Sequence, residues 1–244
     1  MSIKTQISLD NFVINYILFR DFESYENNQI YWLNFCFIFL ILCYNEYMEL
    51  IDKEIADCNL CGKLEKLKCN SLQIGKSRIL VLGESPSKDG WIVSGRAFFN
   101  SDGKLQASGK ILNKLLNICG INIEDVNFTE CCKCIISDRK RLRECIKNCR
   151  SILFTQLENL DFDIILPMGQ YPSEAILGRK VARLKDIVGK EFIVQIGGNK
   201  KLVIPIYHTS PINPLSFKGN EQIFKNLRSK LNWILSKDFD SKFI

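Results

Sequence analysis

The sequence predicts an α/β protein: three layers, α/β/α, around a central, mainly parallel four-stranded sheet. Three observations predict it. Short β-rich apolar runs alternate with longer stretches whose apolar residues recur at helical spacing. The run "SRILVLG" (77–83) is apolar throughout, as in a strand covered on both faces. Several of the helical stretches close on glycine, and such alternation demands crossover connections.

Taken in order, "SRILVLG" is the first strand and "SGKILNKLLNICG" (108–120) a helix stopped by Gly120. "VNFTE" (126–130) reads as a second strand, and "RKRLRECIKNCRSILFTQLENL" (139–160) as one long amphipathic helix. "FDIILPMG" (162–169) is a third strand, followed by a short helix at "PSEAILG" (172–178). "EFIVQIGGNKKLVIPIYH" (191–208) reads as a hairpin-like strand, a "GGN" turn and a final buried strand. "NEQIFKNLRSKLNWILSK" (220–237) is the closing helix.

The 244 residues, 46% apolar, suffice for one full-sized core. Charge is uneven. Residues 1–57 carry three Lys/Arg against nine Asp/Glu, which leaves 30 against 18 for the remainder. A body that basic suits a polyanion, with nucleic acid the default partner. "YWLNFCFIFLILCY" (31–44) is the most apolar stretch, yet its 14 residues fall short of the roughly 20 that span a bilayer. Residues 1–47 read as an apolar extension, dispensable or misassigned, ahead of a domain over 48–244 that opens "MELIDKEIADCNLC". The first residues lack a basic stretch leading into an apolar run, so a cytoplasmic, reducing location is expected, with no membrane association. Eleven cysteines in such a setting point to metal rather than disulfides.

In parallel sheets, ligands bind beyond the carboxyl ends of the strands. Those ends read "ESPSKDG", "TECCKC", "GQYP" and "HTSPINP", and the unusual chemistry of the chain gathers there. Cys58 and Cys61 form a C-x2-C pair; Cys134 follows the second strand and Cys149 lies on the next helix, with Cys145 as rival. Four thiolates suit an iron–sulfur cluster or a structural zinc, and spacing does not separate the two. Cys36, Cys43, Cys69 and Cys119 read as small hydrophobes, and Cys131 and Cys132 as packing residues at a strand end. His208, the sole histidine, closes the last strand.

Six stretches in order resemble the uracil-DNA glycosylase superfamily, most nearly its iron–sulfur branch, the family-four enzymes. "ADCNLC" resembles the amino-terminal ligand pair, "VLGESP" the first active-site motif and "GRAFF" the segment with the base-stacking Phe. "FTECCKC" stands where the family has Thr-Asn leading to Lys-Cys, "NCRSIL" resembles the fourth-ligand segment and "YHTSP" the second active-site motif. The resemblance implies a uracil-DNA glycosylase-like fold and an architectural [4Fe–4S] cluster on Cys58, Cys61, Cys134 and Cys149. It implies a monofunctional, monomeric DNA glycosylase that hydrolyses the N-glycosidic bond of a flipped-out base and leaves an abasic site.

The resemblance, with the chemistry that it requires, then implies roles. Neutral His208 would donate an N–H to the departing base. Glu84 or Asp89 would position the water, and Phe98, with Phe99 as alternative, would stack the base. Gly83 and Ser85 would offer backbone N–H groups, while Ser210 and Lys218 would grip phosphates. Glu130 replaces the base-reading Asn of the family. A carboxylate only accepts hydrogen bonds, so preference is expected to move from plain uracil toward a cytosine-type or modified base. "FNSDGKLQASGK" (99–110) reads as an insertion able to enlarge or cover the pocket. Two rival readings stand: a catalytically weak DNA-binding relative that recognises a modified base, and a zinc-bearing α/β protein acting on another phosphorylated ligand.

Overall fold

The computed structural model describes residues 49–61, 67–136 and 138–234. The extension expected over residues 1–47 lies outside them. A helix, α1 (49–57), precedes the C-x2-C pair. The described strands are β1 (Leu72–Gln73), β2 (Ile79–Gly83), β3 (Asn127–Glu130), β4 (Ile164–Pro167), β5 (Phe192–Ile196) and β6 (Asn199–Val203). Between and after them lie α2 (Trp91–Ser94), α3 (Ala107–Ile118), α4 (Leu142–Asn148), α5 (Arg150–Glu158), α6 (Gln170–Leu177) and α7 (Lys218–Ile234). No helix among the described residues is long and apolar enough to cross a membrane.

The sheet runs β1-β3-β2-β4-β6-β5. Its four central strands are parallel, as expected, and an antiparallel strand flanks each edge, so the sheet has six strands rather than four. β1 has only two residues, too few to show any periodicity. β5 is the hairpin arm: Gly197 and Gly198, at φ of +55° and +84°, make the primed turn that joins it to β6. Pro205 interrupts the last strand, but Ile204 N–H and Ile206 N–H still donate to Ile165 and Pro167 carbonyls and carry the chain on to His208.

Alternation along β2 serves two cores at once. Ile79 and Val81 face a layer that includes Leu112, Leu115 and Leu116 of α3 and Phe224 and Leu227 of α7. Leu80 and Leu82 face Leu153 and Leu157 of α5 and Ala175 and Ile176 of α6. All five β2 residues are buried, which is why the strand reads as an unbroken apolar run.

The helix expected over 139–160 is divided. A 3-10 turn (Arg139–Arg141) leads into α4, and α4 gives way to α5 at Cys149, whose ψ is 0°. Cys149 N–H still donates to Cys145 O, and Leu153 N–H to Cys149 O, so hydrogen bonds bridge the bend that residue periodicity could not register. The stretch over 99–110 folds on itself. Phe99 bridges Leu105, Asn100 Oδ1 accepts from Asp102 and Lys104 N–H, and Gln106 Nε2 reaches back to Asp89 O at 2.7 Å.

Gly75 sits where a Cβ would lie 2.2 Å from the backbone oxygen of Asp125 and 2.6 Å from the carbonyl carbon of Val126. Backbone cannot yield as a side chain does, so Gly75→Ala is expected to cost about 1–3 kcal/mol. Urea denaturation would show this as a lower midpoint at unchanged m-value.

Candidate active site

The carboxyl ends of the parallel strands converge on one open cleft of about 440 Å³, lined by Glu84, Arg139, His208, Ser210, Ile212 and Asn213. Glu84 follows β2, and Gly169, just past β4, lies at φ of +97°. A Cβ on Gly169 would come 3.6 Å from Glu84 Oε1 and 3.9 Å from His208 Cβ. A bare backbone there leaves room between carboxylate and imidazole.

His208 Nδ1 accepts the Ser210 N–H at 3.0 Å, which assigns the imidazole proton to Nε2. Burial lowers its pKa, opposed by Glu84 and aided by Arg139, so at pH 7 the ring is neutral. Asn213 Nδ2 donates to His208 O at 3.0 Å, and Asn213 Oδ1 accepts from Leu215 N–H. The loop that carries the histidine is thus pinned by its own side chains. Glu84 pairs with Arg139 at 2.7 Å and keeps its side chain 16% exposed.

Three cleft residues were not singled out from sequence. Arg139 sits in a run of basic residues that looks like an ordinary solvated surface, and Asn213 reads as one more loop residue. Ile212 is 92% exposed on the lip of the cleft; an apolar residue in a proline-flanked loop was the available signal. Of the expected residues, Glu84, His208 and Ser210 line the cleft, whereas Gly83, Ser85, Asp89, Phe98, Glu130 and Lys218 do not. Asp89 is exposed, and its carbonyl accepts from Gln106. Lys218 is exposed at the start of α7. Ser85 is half-buried in the bend after Glu84.

On the α3 face of the sheet an aromatic group forms beside these strand ends. Trp91 stacks on Phe128 at 5.7 Å, and Phe98 meets Phe128 edge-on at 4.8 Å. Phe98 is half-buried and held at φ of +65°, a conformation costly for a bulky residue. Phe99 is buried in the core under the Arg96 guanidinium, so of the two it is Phe98 that retains exposed ring surface.

Glu130 is the last residue of β3, paired with Gly83 of β2 and only 7% exposed. Its carboxyl occupies the space of a missing side chain: a Cβ on Gly83 would fall 2.1 Å from Glu130 Oε2. That oxygen has no hydrogen-bond partner, and neither has Trp91 Nε1. Burial pushes the Glu130 pKa up to about 8, against the pull of Lys133 and with a push from Glu84; the Trp91 N–H stands near enough to lower it slightly. Lys133 is itself buried, and burial draws its pKa down to about 8. Its Nζ donates to Thr129 Oγ1 at 2.7 Å, to the Glu130 carbonyl at 2.8 Å and to Ser71 Oγ at 3.4 Å.

Behind the strand end, Cys61, Cys132, Cys134, Cys145 and Cys149 share one buried patch with Ile136 and Leu142. Cys134 is pushed up to about 12 by burial and by the neighbouring thiols of Cys149, Cys61 and Cys58. Those four expected ligands therefore stand within electrostatic reach of one another. Asn148 Nδ2 donates to Leu60 O at 3.1 Å and to Cys61 Sγ at 3.7 Å, tying the C-x2-C segment to α4. The Cys132 thiol donates to Cys149 Sγ, which draws the Cys149 pKa down. Cys131 points the other way, into the core under α5 and α6. Among the described residues no three His, Cys, Asp or Glu side chains stand close enough to share a single ion. A tetrahedral zinc needs its sulfurs about 2.3 Å from one point. A four-iron cluster offers each thiolate its own iron, and an all-thiol, buried donor set suits it in kind.

The Glu130 carboxyl stays protonated in the folded chain up to about pH 8, whereas the unfolded carboxyl releases its proton near the ordinary value of 4.5. Native stability from this group is therefore greatest at low pH and declines as pH rises between those values. Glu130→Gln removes the dependence. Its gain over wild type is expected to grow by up to about 1.4 kcal/mol per pH unit across that window and to level off above it, measured by urea denaturation at several pH values.

A family model described as the uracil DNA glycosylase superfamily matches residues 70–232, a span that holds all four parallel strands, the cleft, Glu130, Cys134 and Cys149. With two-thirds of its length matched and the strand ends arranged as above, the chain belongs to the uracil DNA glycosylase superfamily, hydrolases that excise bases from DNA.

Proposed function

We propose that the chain is a monofunctional DNA glycosylase that hydrolyses the N-glycosidic bond of a flipped-out uracil-like or altered pyrimidine and leaves an abasic site. The observation that carries this reading is the state of His208: neutral, its Nδ1 occupied by the Ser210 N–H, its Nε2–H left for the cleft. As the bond breaks, negative charge grows on the base, and a fixed neutral donor stabilises it without surrendering a proton. Glu84, across Gly169, would orient the attacking water, its carboxylate held by Arg139 at 2.7 Å. Phe98 offers a ring face to the base and Ile212 an apolar wedge for the gap it leaves in the stack. Ser210, Asn213 and the exposed Lys218 supply contacts to the flanking backbone.

The thiols of Cys58, Cys61, Cys134 and Cys149 would hold a [4Fe–4S] cluster whose contribution is architectural, clamping the amino-terminal segment onto the loop after β3. In this reading residues 48–244 are the working domain of a cytoplasmic monomer, and residues 1–47 are dispensable.

Oligonucleotides carrying uracil, hypoxanthine, cytosine or modified cytosines, scored for abasic sites by alkaline cleavage, test the assignment. His208→Ala is expected to lower excision about 10²–10³-fold while DNA binding persists. Tight binding by wild type without abasic sites would instead establish a non-catalytic reader, a reading that Glu130 in place of the family's Asn favours. Cys134→Ser is expected to abolish the visible iron–sulfur absorption of anaerobically purified protein and to lower its Tm. Zinc in place of iron in the wild-type protein would remove the cluster assignment.

A further inference from the structure

Two buried polar atoms of opposite character stand close to each other beside Phe128, short of a well-formed hydrogen bond. Glu130 Oε2 is an acceptor at the end of β3, and Trp91 Nε1 a donor on α2. Buried groups left unsatisfied are costly and rare, and two side by side mark a place where something else supplies the hydrogen bonds. Gly83, lacking a side chain, leaves the room that the Glu130 carboxyl takes, and Phe128, in contact with Trp91 and Phe98, stands two residues before it on β3.

The surroundings also fix the form of Glu130. Every charged or titratable group that faces it is accounted for. Lys133, on the loop after β3, spends its three donors on Thr129, Ser71 and the Glu130 carbonyl rather than on the carboxyl. Glu84, at the end of β2, is a like charge, and its own cation, Arg139, is held in their 2.7 Å pair. Cys131 beside it and Cys69 ahead of β1 are thiols whose pKa burial raises. Among the described residues no cation pairs with the Glu130 carboxyl, and burial without a counter-ion leaves a carboxyl neutral.

A neutral carboxyl is not the acceptor-only group that a glutamate in sequence suggests. It carries one O–H donor beside one carbonyl acceptor, the same pair that an amide presents. We propose that Glu130 reads the flipped base as an undissociated acid and so accepts a pyrimidine whose edge offers one donor beside one acceptor. Uracil satisfies it by donating N3–H to the carbonyl and accepting the acid O–H at O4. Cytosine satisfies it the other way round, donating from N4 and accepting at N3. Loss of the proton leaves an acceptor-only group that still receives uracil N3–H or cytosine N4–H but repels the acceptor beside it, O4 or N3, in either base. The inference rests on the glycosylase reading above, and it restores to uracil the pattern that an ionised glutamate would deny it.

Infrared spectra of the wild-type holoprotein across pH, together with pH profiles of excision on uracil and cytosine oligonucleotides, test it. The expected result is a protonated carboxylic-acid band at pH 7 that titrates near pH 8 and is missing from Glu130→Gln. Above that pH wild-type excision of either base is expected to fall about tenfold per unit. Glu130→Gln, whose amide cannot ionise, should lack that limb whatever its own rate, and Glu130→Asn serves as a second, smaller amide. Absence of the acid band at pH 7 overturns the inference regardless of activity. Excision with the same pH profile in wild type and both amides overturns it alone and leaves the glycosylase standing. Absence of excision on every base at every pH overturns the glycosylase reading and the base-reading role with it.

Discussion

The last rung of the parallel β2–β3 ladder, Gly83 against Glu130, is the contact from which the rest of the site follows. Hydrogen bonding does not stop there. Cys131 N–H donates to Gly83 O and Cys132 N–H to Glu84 O, so the chain stays in register for two residues past the strand. Register dictates faces. Phe128 and Glu130 lie on the α3 side with Trp91, while Thr129 and Cys131 lie on the side of α5. Cys132 and Cys134 then turn into the thiol patch. One ladder therefore sets both the carboxyl beside the aromatic group and the sulfurs behind it.

That arrangement needs a buried cation to hold it. Lys133 ties three pieces together: the Ser71 turn, the Thr129 hydroxyl and the end of β3 at the Glu130 carbonyl. Thr129 passes the contact on, donating to Gln156 Oε1 at 2.9 Å, and Gln156 Nε2 in turn reaches Asn70. The network links the segment before β1 to α5 through the middle of the sheet edge. Because its donors are spent on neutral oxygens, Lys133 braces the backbone under Glu130 without neutralising the carboxyl above it. Separating those two duties allows a lysine and a glutamic acid to be buried three residues apart without forming an ion pair.

Much of this was legible in the sequence. The four parallel strands announce themselves because residues buried on both faces leave uninterrupted apolar runs, and the helices through their spacing. The carboxyl ends could be found for the same reason, and Glu84, His208 and Ser210 beyond those ends line the cleft. What escaped has physical causes. A two-residue strand such as β1 has no period, and a bend at Cys149 leaves the helical pattern of its neighbours intact. Arg139 joins the cleft through a contact to Glu84, 55 positions away, that no local pattern encodes. Asp89 misleads for a related reason: a carboxylate in the right loop faces solvent because Gln106 holds its carbonyl. The protonation of Glu130 was the least legible feature. It depends on what surrounds the carboxyl in space and on which neighbours have already spent their donors.

Two carboxylates, Glu84 and Glu130, thus emerge from adjacent strands into different electrostatic settings. Glu84 reaches the cleft and meets Arg139, a partner that favours its charge. Glu130 turns under Gly83 into an apolar slot beside Trp91, with no cation paired to it among the described residues. Each condition reinforces the other, since a charged Glu84 makes ionisation of Glu130 harder. The same Glu84 charge opposes the drop in the His208 pKa, which burial and Arg139 nonetheless carry. Arg139 therefore acts on both sides of the cleft: it pairs with Glu84 and disfavours charge on His208. A single exposed guanidinium on the 3-10 turn after β3 thus meets the carboxylate directly and acts on the imidazole through space, which couples the two walls of the cleft.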